Sequence, residues 1–218
     1  MSLTLFYHPL SSFCWKALVA LYEADVAFEP RVVNLGDEAD RAAFRAVWPL
    51  GKFPVLTDSA SGETVPESSI VIAWLAQRHP GAARLFPADP ALALQVQLRD
   101  RLLDSYIHLP MQRVIADRLR PADRRDPLTV EQARAQILAA YDLLEPQMAG
   151  GGWGVGETFT LADCSALPAL FYGDKVAPMV EWPNLAAYLE RLKARPSVAR
   201  VLAEAEPFFQ YFPQEPTP

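Results

Sequence analysis

Phe53, Pro54, Val55 and Leu56, followed about a dozen positions later by Glu67, Ser68, Ser69 and Ile70, constrain this chain more than anything else in it. An apolar residue before a proline, with a β-type pair after it, reads as a turn that delivers a strand. The second run ends a loop and opens a helix. With Pro54 cis, the neighbouring backbone N–H and C=O turn outward, where an extended peptide can pair with them as an added strand. The free N–H groups at the helix start by Ser68 form a carboxylate site, with the Ser68 hydroxyl as a further donor. Together the two devices point to a small, acid-ended peptide ligand.

At 218 residues the chain can bury a sizeable core, as one large domain or two modest ones. Its 20 Lys+Arg against 26 Asp+Glu give a net charge of −6 with no basic run, which argues against nucleic acid as a partner. Cys14 and Cys164 follow no metal-ligand spacing and are too few for a disulfide framework, so a reducing compartment and no metal are expected. Met1 to Leu10 lacks a charged segment followed by a long apolar one, and no run approaches the ~20 apolar residues of a membrane span. The expectation is a soluble cytoplasmic protein without a membrane partner.

The period of the apolar residues changes along the chain. Leu3 to Tyr7 reads as a strand, and from Ser12 onward Leu18, Leu21 and Tyr22 fall at helical spacing, ending near Asp25. Phe28 to Val33 reads as a second strand, placed on a sheet edge by Pro30. A helix follows through Ala39 to Ala46. Val55 to Thr57 and Glu63 to Val65 form a hairpin about the turn at Ser59 to Gly62, and Ile70, Val71, Trp74 and Leu75 mark a helix to His79. The order βαβαββα predicts a mixed sheet covered by helices.

From His79 to Pro90 proline, glycine and alanine dominate, and the stretch reads as a linker. Beyond it no strand is evident. Leu98, Leu102 and Tyr106 mark one face of a long helix kinked by Pro110; Ile137, Tyr141 and Leu144 mark another; Leu185, Tyr188, Leu189 and Leu192 a third. Gly150 to Gly152 read as a loop and the proline-rich tail after Phe212 as a loose end. The organisation is an α/β domain over 1–80, a linker over 81–90 and an all-helical bundle over 91–218.

An apolar, Pro, Val, Leu turn and a Glu, Ser, x, Ile helix start in a βαβαββα domain, followed by a helical domain, resemble the glutathione transferases over nearly the whole chain. The resemblance implies a thioredoxin-like domain that binds glutathione and a helical domain that supplies most of a hydrophobic second-substrate pocket. It implies that the backbone at Phe53, Pro54 and Val55 pairs with the cysteinyl part of glutathione. Glu67 and Ser68 would hold the γ-glutamyl ammonium and carboxylate, and Lys52 would stand near the glycine carboxylate. A homodimer is implied too, with isologous symmetry, and a role in detoxification.

The segment His8 to Lys16 lies where the related glutaredoxins carry Cys, Pro, aromatic, Cys. Here those four places hold Ser11, Ser12, Phe13 and Cys14, so Ser11 replaces the nucleophilic cysteine. A dithiol cycle needs an exposed, low-pKa thiolate in that place, and its loss argues against such a redox enzyme. A hydroxyl there can donate to the sulfur of a bound thiol, as in the serine-type theta and zeta classes. Lowering a thiol from ~8.5 by about two pH units requires roughly 2.7 kcal/mol of selective anion stabilisation. One hydrogen bond to a charged acceptor contributes about 1.5 to 3 kcal/mol, and a helix N-terminus about 0.3 to 1. Ser11 is therefore the catalytic candidate, with Ser12 and Cys14 as alternatives.

Other features have plainer readings. Thr160 with Asp163 reads as a structural capping box. His8 and His108 have no acid and serine at a triad spacing. Tyr106, Met111, Phe171 and Tyr172 are either pocket lining or core, and Trp48 departs from the Asn common before Pro at this place in the family. The expected function is addition of glutathione thiolate to small hydrophobic electrophiles. Its alternatives are a maleylacetoacetate-type isomerase and a non-catalytic binding or regulatory protein on the same fold.

Overall fold

A computed structural model describes residues 2–215; Met1, at the head of the segment read for a leader, and the last three residues of the proline-rich tail lie outside the described residues. Its first half runs β1 (Leu3–Tyr7), α1 (Ser12–Glu23), β2 (Glu29–Val32), α2 (Glu38–Val47), β3 (Val55–Asp58), β4 (Glu63–Pro66) and α3 (Ser68–Arg78). The four strands form one mixed sheet in the order β2-β1-β3-β4, with β1 parallel to β2 and antiparallel to β3. Strand β2 is the exposed edge that its proline requires.

The sheet's two faces follow from strand alternation. Leu5 and Leu56, paired across β1 and β3, both enter the main core beside Trp15, Leu21 and Ile72. Their neighbours Phe6 and Val55, also paired, turn to the other face and pack with Val33, Phe44, Trp48 and Phe53 under α2. Trp48 thus ends α2 as packing.

After α3 the stretch rich in proline and alanine holds a short helix, α4 (Pro80–Ala83), with Ala82 and Leu85 fully buried. Gly81 is required there, because a Cβ would come 2.5 Å from the Ala24 carbonyl oxygen at the end of α1. The second half contains α5 (Pro90–Leu103), α6 (Leu109–Arg118), α7 (Pro127–Leu144), α8 (Leu161–Asp174), α9 (Pro183–Lys193) and α10 (Pro196–Ala205). No helix among the described residues is long and apolar enough to cross a membrane.

Helix α8 is the hub. Nearly all of its residues are buried, and it packs on α1 and α5, so the two halves share one core. Its start carries the expected capping box, and Asp163 also accepts from the Gly154 N–H (2.7 Å) and the Tyr188 hydroxyl (2.5 Å). Ile137, Tyr141 and Leu144 of α7, and Leu185, Tyr188, Leu189 and Leu192 of α9, are buried as their spacing predicts.

Two expectations fail here. Leu98 and Tyr106 do not face the core but are 57% and 48% exposed; Val96, Asp100, Leu103 and Ile107 are buried instead. The cause is partly polar, since a buried aspartate occupies the inner stripe. For Tyr106 it is also geometric: Asp104–His108 forms a π-helical turn, with the Leu109 N–H bonded to the Asp104 carbonyl, just before Pro110. The tail after Phe212 is not loose as far as Glu215, which is held by Arg118 and Arg134.

Candidate functional site

A cleft of about 500 Å³ opens between the sheet half and the π-helical turn. One wall carries Ser11, Lys52, Phe53, Pro54, Glu67 and Ser68. The opposite wall carries Arg101, Asp104, Ser105, Leu109 and Gln112, with Phe13 and Leu35 closing the ends. The Phe53–Pro54 peptide bond is cis. Phe53 lies ahead of that bond with its ring against Phe44, centroids 6.1 Å apart, so the turn is anchored from behind by the α2 cluster.

Six of the site residues expected from sequence therefore meet in one place, and two do not. Ser12 is buried in the first turn of α1 and does not line the cleft. Val55 is fully buried, paired with Phe6 on one side and Pro66 on the other, which leaves Phe53 and Pro54 as the residues of the turn that reach the cleft. Of the four residues considered for the second-substrate pocket, Met111 and Tyr172 are buried core, Phe171 packs against that core, and Tyr106 is exposed outside the cleft.

Two helices begin at this cleft, and both begin uncapped. Ser11 precedes α1 with extended backbone and makes no side-chain capping bond; Glu67 precedes α3, again with no side-chain cap. Neither helix has an acidic residue in its first turn. Both positive helix ends and their free N–H groups are thus available to anions. Glu67 also has φ 69° and ψ 120°, a left-handed conformation costly for a residue with a Cβ and typical of positions held for function.

The loop carrying Ser11 is fixed from three sides. The Ser11 N–H donates to the His8 carbonyl at 2.9 Å, the Trp15 indole N–H to the Pro9 carbonyl at 2.6 Å, and the Tyr172 hydroxyl to the Leu10 carbonyl at 3.0 Å. The His8 ring stacks on Phe53 with centroids 6.1 Å apart and is half-buried, and burial lowers its pKa. Cys14 is completely buried, and burial pushes its thiol up to about 12 despite hydrogen bonds from Ser11 and His8. A thiolate at Cys14 is therefore excluded near neutrality.

Behind the cleft lies a polar cluster that sequence reading missed. Lys16 is entirely buried, ion-paired with Asp100 and Asp104 and donating to Ser69 at 2.8 Å. The Ser69 and Ser165 hydroxyls both donate to Asp100. Lys16, Ser69, Asp100 and Ser165 thereby join α1, α3, α5 and α8, directly beside Ser68. The only signal for it in the sequence is a lone lysine inside the apolar run from Phe13 to Leu18. Burial opposes the charge on Asp104, but the hydrogen bond from His108 and the Lys16 charge hold its carboxyl below the usual range. His108 is fully buried and burial lowers its pKa; its Nδ1 is 3.5 Å from Asp104.

Comparison with known proteins bears directly on this arrangement. The glutathione S-transferase N-terminal domain matches residues 5–83, and the C-terminal domain of the same family matches residues 127–191. A glutathione S-transferase of Pseudomonas putida is 31% identical over 195 residues, covering 86% of each chain. The chain belongs to the glutathione S-transferase family. A probable maleylacetoacetate isomerase of Vibrio cholerae is 28% identical, covering 95% of this chain and 98% of its own. Among solved structures, a glutathione S-transferase from Methylobacterium radiotolerans in complex with glutathione sulfonate is 28% identical with a TM-score of 0.80, covering 99% of this chain and 97% of that one. The fold of the yeast protein Ure2p in complex with glutathione is similar as well, with a TM-score of 0.82 at 20% identity, over 93% of this chain and 94% of that one.

Proposed function

We propose that this transferase binds glutathione along the Ser11, Phe53–Pro54 and Glu67–Ser68 wall and adds its thiolate to an electrophile held against the opposite wall. The observation that carries this reading is the pair of uncapped helix starts, at Ser11 and Ser68, opening on one cleft. Glutathione has two groups suited to them: a thiolate for the α1 end and an α-carboxylate for the α3 end. The Ser11 hydroxyl donates to the sulfur, making the chain serine-type. Glu67 takes the γ-glutamyl ammonium, Ser68 the carboxylate, and Lys52 the glycine carboxylate. The Phe53 backbone, rather than that of Val55, is the natural strand partner for the cysteinyl segment.

The electrophile wall modifies the expectation of a purely hydrophobic partner. Arg101, Ser105 and Gln112 accompany Leu109 and Phe13 there, so a small electrophile with an anionic or strongly polar group fits better than a plain hydrocarbon. This favours, as a second reading, a glutathione-dependent isomerase acting on a maleyl compound, in which the thiolate adds to the double bond and leaves after rotation. The relative from Vibrio cholerae and a maleylpyruvate isomerase of Ralstonia, 30% identical over 69% of this chain, carry names of that kind.

Self-association as a homodimer is part of this proposal, and the exposed leucines Leu94 and Leu98, one turn apart on α5 and 66% and 57% exposed, support it. The free, buried state of Cys14 and Cys164 suits a reducing cytoplasm. Retention on immobilised glutathione, followed by turnover of haloaromatics, epoxides, peroxides and maleyl compounds, tests the proposal. Failure to bind glutathione overturns it, and binding with no turnover makes the chain a binding protein.

A further inference from the structure

The turn that carries Ser11 is closed by a histidine that the proposed reaction does not use. His8 to Ser11 form a four-residue turn in which the Ser11 N–H donates to the His8 carbonyl at 2.9 Å, with Pro9 at the second place, where its fixed φ suits such turns. The His8 side chain folds back over the turn, and its Nδ1 accepts the Leu10 N–H at 3.2 Å. Asparagine and aspartate make this bond in turns, accepting from the N–H two residues on; here an imidazole makes it. The ring is clasped between two phenylalanines. Phe53 of the cleft wall stacks on it with centroids 6.1 Å apart, and Phe208, from a 3-10 turn over Glu206–Tyr211, meets it edge-on at 6.2 Å.

Three side chains hold the backbone just before Ser11, and one of them differs from the others. Trp15 and Tyr172 donate to the Pro9 and Leu10 carbonyls from groups that keep their protons at neutral pH. The bond to the Leu10 N–H ends instead on a group that titrates near neutrality. An N–H pointing at Nδ1 requires a lone pair there, so the neutral ring carries its proton on Nε2. Protonation makes Nδ1 a donor; two donors then face each other across 3.2 Å, and the attraction becomes a repulsion. Burial disfavours the charged ring and sets its pKa below the ordinary 6.5. Burial is the sole cause: Tyr7, Cys14, Lys52 and Glu206, the titratable groups on the segments around the ring, take no part in it. The ring is therefore neutral at pH 7 and charges only in mild acid.

We propose that His8 is a positioning residue for Ser11: its neutral ring holds the Leu10 N–H and so keeps the Ser11 hydroxyl in register with the glutathione sulfur, and protonation of the ring releases the turn. The inference rests on the assignment of Ser11 to the sulfur in the proposed function. His8 does not line the cleft, so it acts through the turn and not on the ligand. The consequence is an acid-sensitive hold on thiolate formation that is separate from the titration of the thiol itself.

Two substitutions separate the parts played by the ring. His8→Asn supplies an acceptor for the N–H two residues on and cannot titrate, whereas His8→Phe keeps a ring between Phe53 and Phe208 but supplies no acceptor. At about pH 8, kcat/KM with a haloaromatic should stay within about twofold of the parent in His8→Asn and fall about three- to tenfold in His8→Phe, as loss of one hydrogen bond requires. At about pH 5 the parent should have dropped below His8→Asn by that same factor. The midpoint of the parent-to-variant ratio should lie below 6.5, and taking the ratio cancels the thiol and His108, which titrate in both proteins. In the ligand-free chain, the Leu10 amide followed by heteronuclear NMR should shift with the same midpoint in the parent and stay still in His8→Asn. A flat ratio, a parent that outperforms His8→Asn in acid, full activity of a folded His8→Phe, or a Leu10 amide indifferent to pH would each overturn the proposal. The amide measurement needs no glutathione, so a Ser11→Ala variant with unchanged thiolate would overturn the assignment of Ser11 and leave the hold of His8 on the turn standing.

Discussion

The Lys16 ammonium lies 2.8 Å from the Asp104 carboxylate with none of its side chain exposed, which ties the first helix of the sheet half to the rim of the cleft. A buried pair of this kind adds little net stability compared with an apolar replacement of both partners, but removal of one partner strands the other. Lys16→Met leaves two buried aspartates facing each other without a cation. The expected loss is about 3 to 5 kcal/mol in urea unfolding. A loss below about 1 kcal/mol would mean that water already solvates Asp100 and Asp104.

The same cluster sets an acid limit. His108 is kept neutral by burial, so the unfolded chain binds its proton more readily than the fold does. Its share of stability is complete above its ordinary pKa of 6.5 and declines as pH falls below that value. Asp104, with a folded pKa below its ordinary 3.8, adds a second decline only when pH falls through the carboxylate range. Stability measured by urea midpoint should therefore begin to fall near pH 6.5, and His108→Gln should shrink that first phase to the share carried by half-buried His8 while leaving the second. A midpoint independent of pH between about 7 and 5 in the parent would contradict the buried neutral imidazole.

Tyr172 is the clearest positioning residue outside the cleft. Its hydroxyl holds the Leu10 carbonyl next to Ser11, and its ring stacks on Phe212 with centroids 5.5 Å apart. Tyr172→Phe keeps the ring and removes one hydrogen bond, at a cost of about 0.5 to 1.5 kcal/mol of stability. The expected signature is a fall in kcat/KM of several-fold with normal glutathione retention, since the loop loses register rather than its binding groups. Unchanged kinetics would show that Trp15 and His8 alone fix the loop.

The parts of this site that were legible in the sequence are those built from short local motifs. Pro54, the Glu67–Ser68 helix start and Ser11 each sit at a turn whose chemistry is written in adjacent residues, and their meeting follows from the order of strands and helices. Ser12 and Val55 each stand one position from a residue that reaches the cleft, and the first helical turn and strand alternation carry them inward. The opposite wall was not legible. Gln112 joins Arg101 and Ser105 at the cleft only because the π-helical turn at Asp104–His108 shifts the phase of the helix beyond it, and hydropathy marks the inner stripe wrongly because Asp100 and Asp104 are buried. The capping box at Thr160 and Asp163, by contrast, needs only residues three apart and was readable in full.

Arg101 is the proposed reader of charge on the electrophile. Arg101→Leu should lower kcat/KM for a carboxylate-bearing electrophile such as a maleyl compound by about tenfold or more, equivalent to losing one charge-assisted hydrogen bond. A neutral haloaromatic substrate should be unaffected or improved. Equal losses on both would place Arg101 in glutathione binding instead.

Ser68 and Glu67 divide the γ-glutamyl group between them in this account. Ser68→Ala should raise the KM for glutathione about tenfold while kcat changes little, because the lost donor acts on bound ligand and transition state alike. A fall in kcat at constant KM would move Ser68 from binding to chemistry.

The most direct measurement is the ultraviolet titration of thiolate in the complex with glutathione, for the parent and for Ser11→Ala. In the parent, thiolate absorbance is expected to develop about two pH units below the ordinary thiol range. In Ser11→Ala the midpoint should move upward by about one to two pH units, as loss of one hydrogen bond to a charged acceptor requires. An identical midpoint in the two proteins would contradict the assignment of Ser11 as the group that holds the sulfur as an anion.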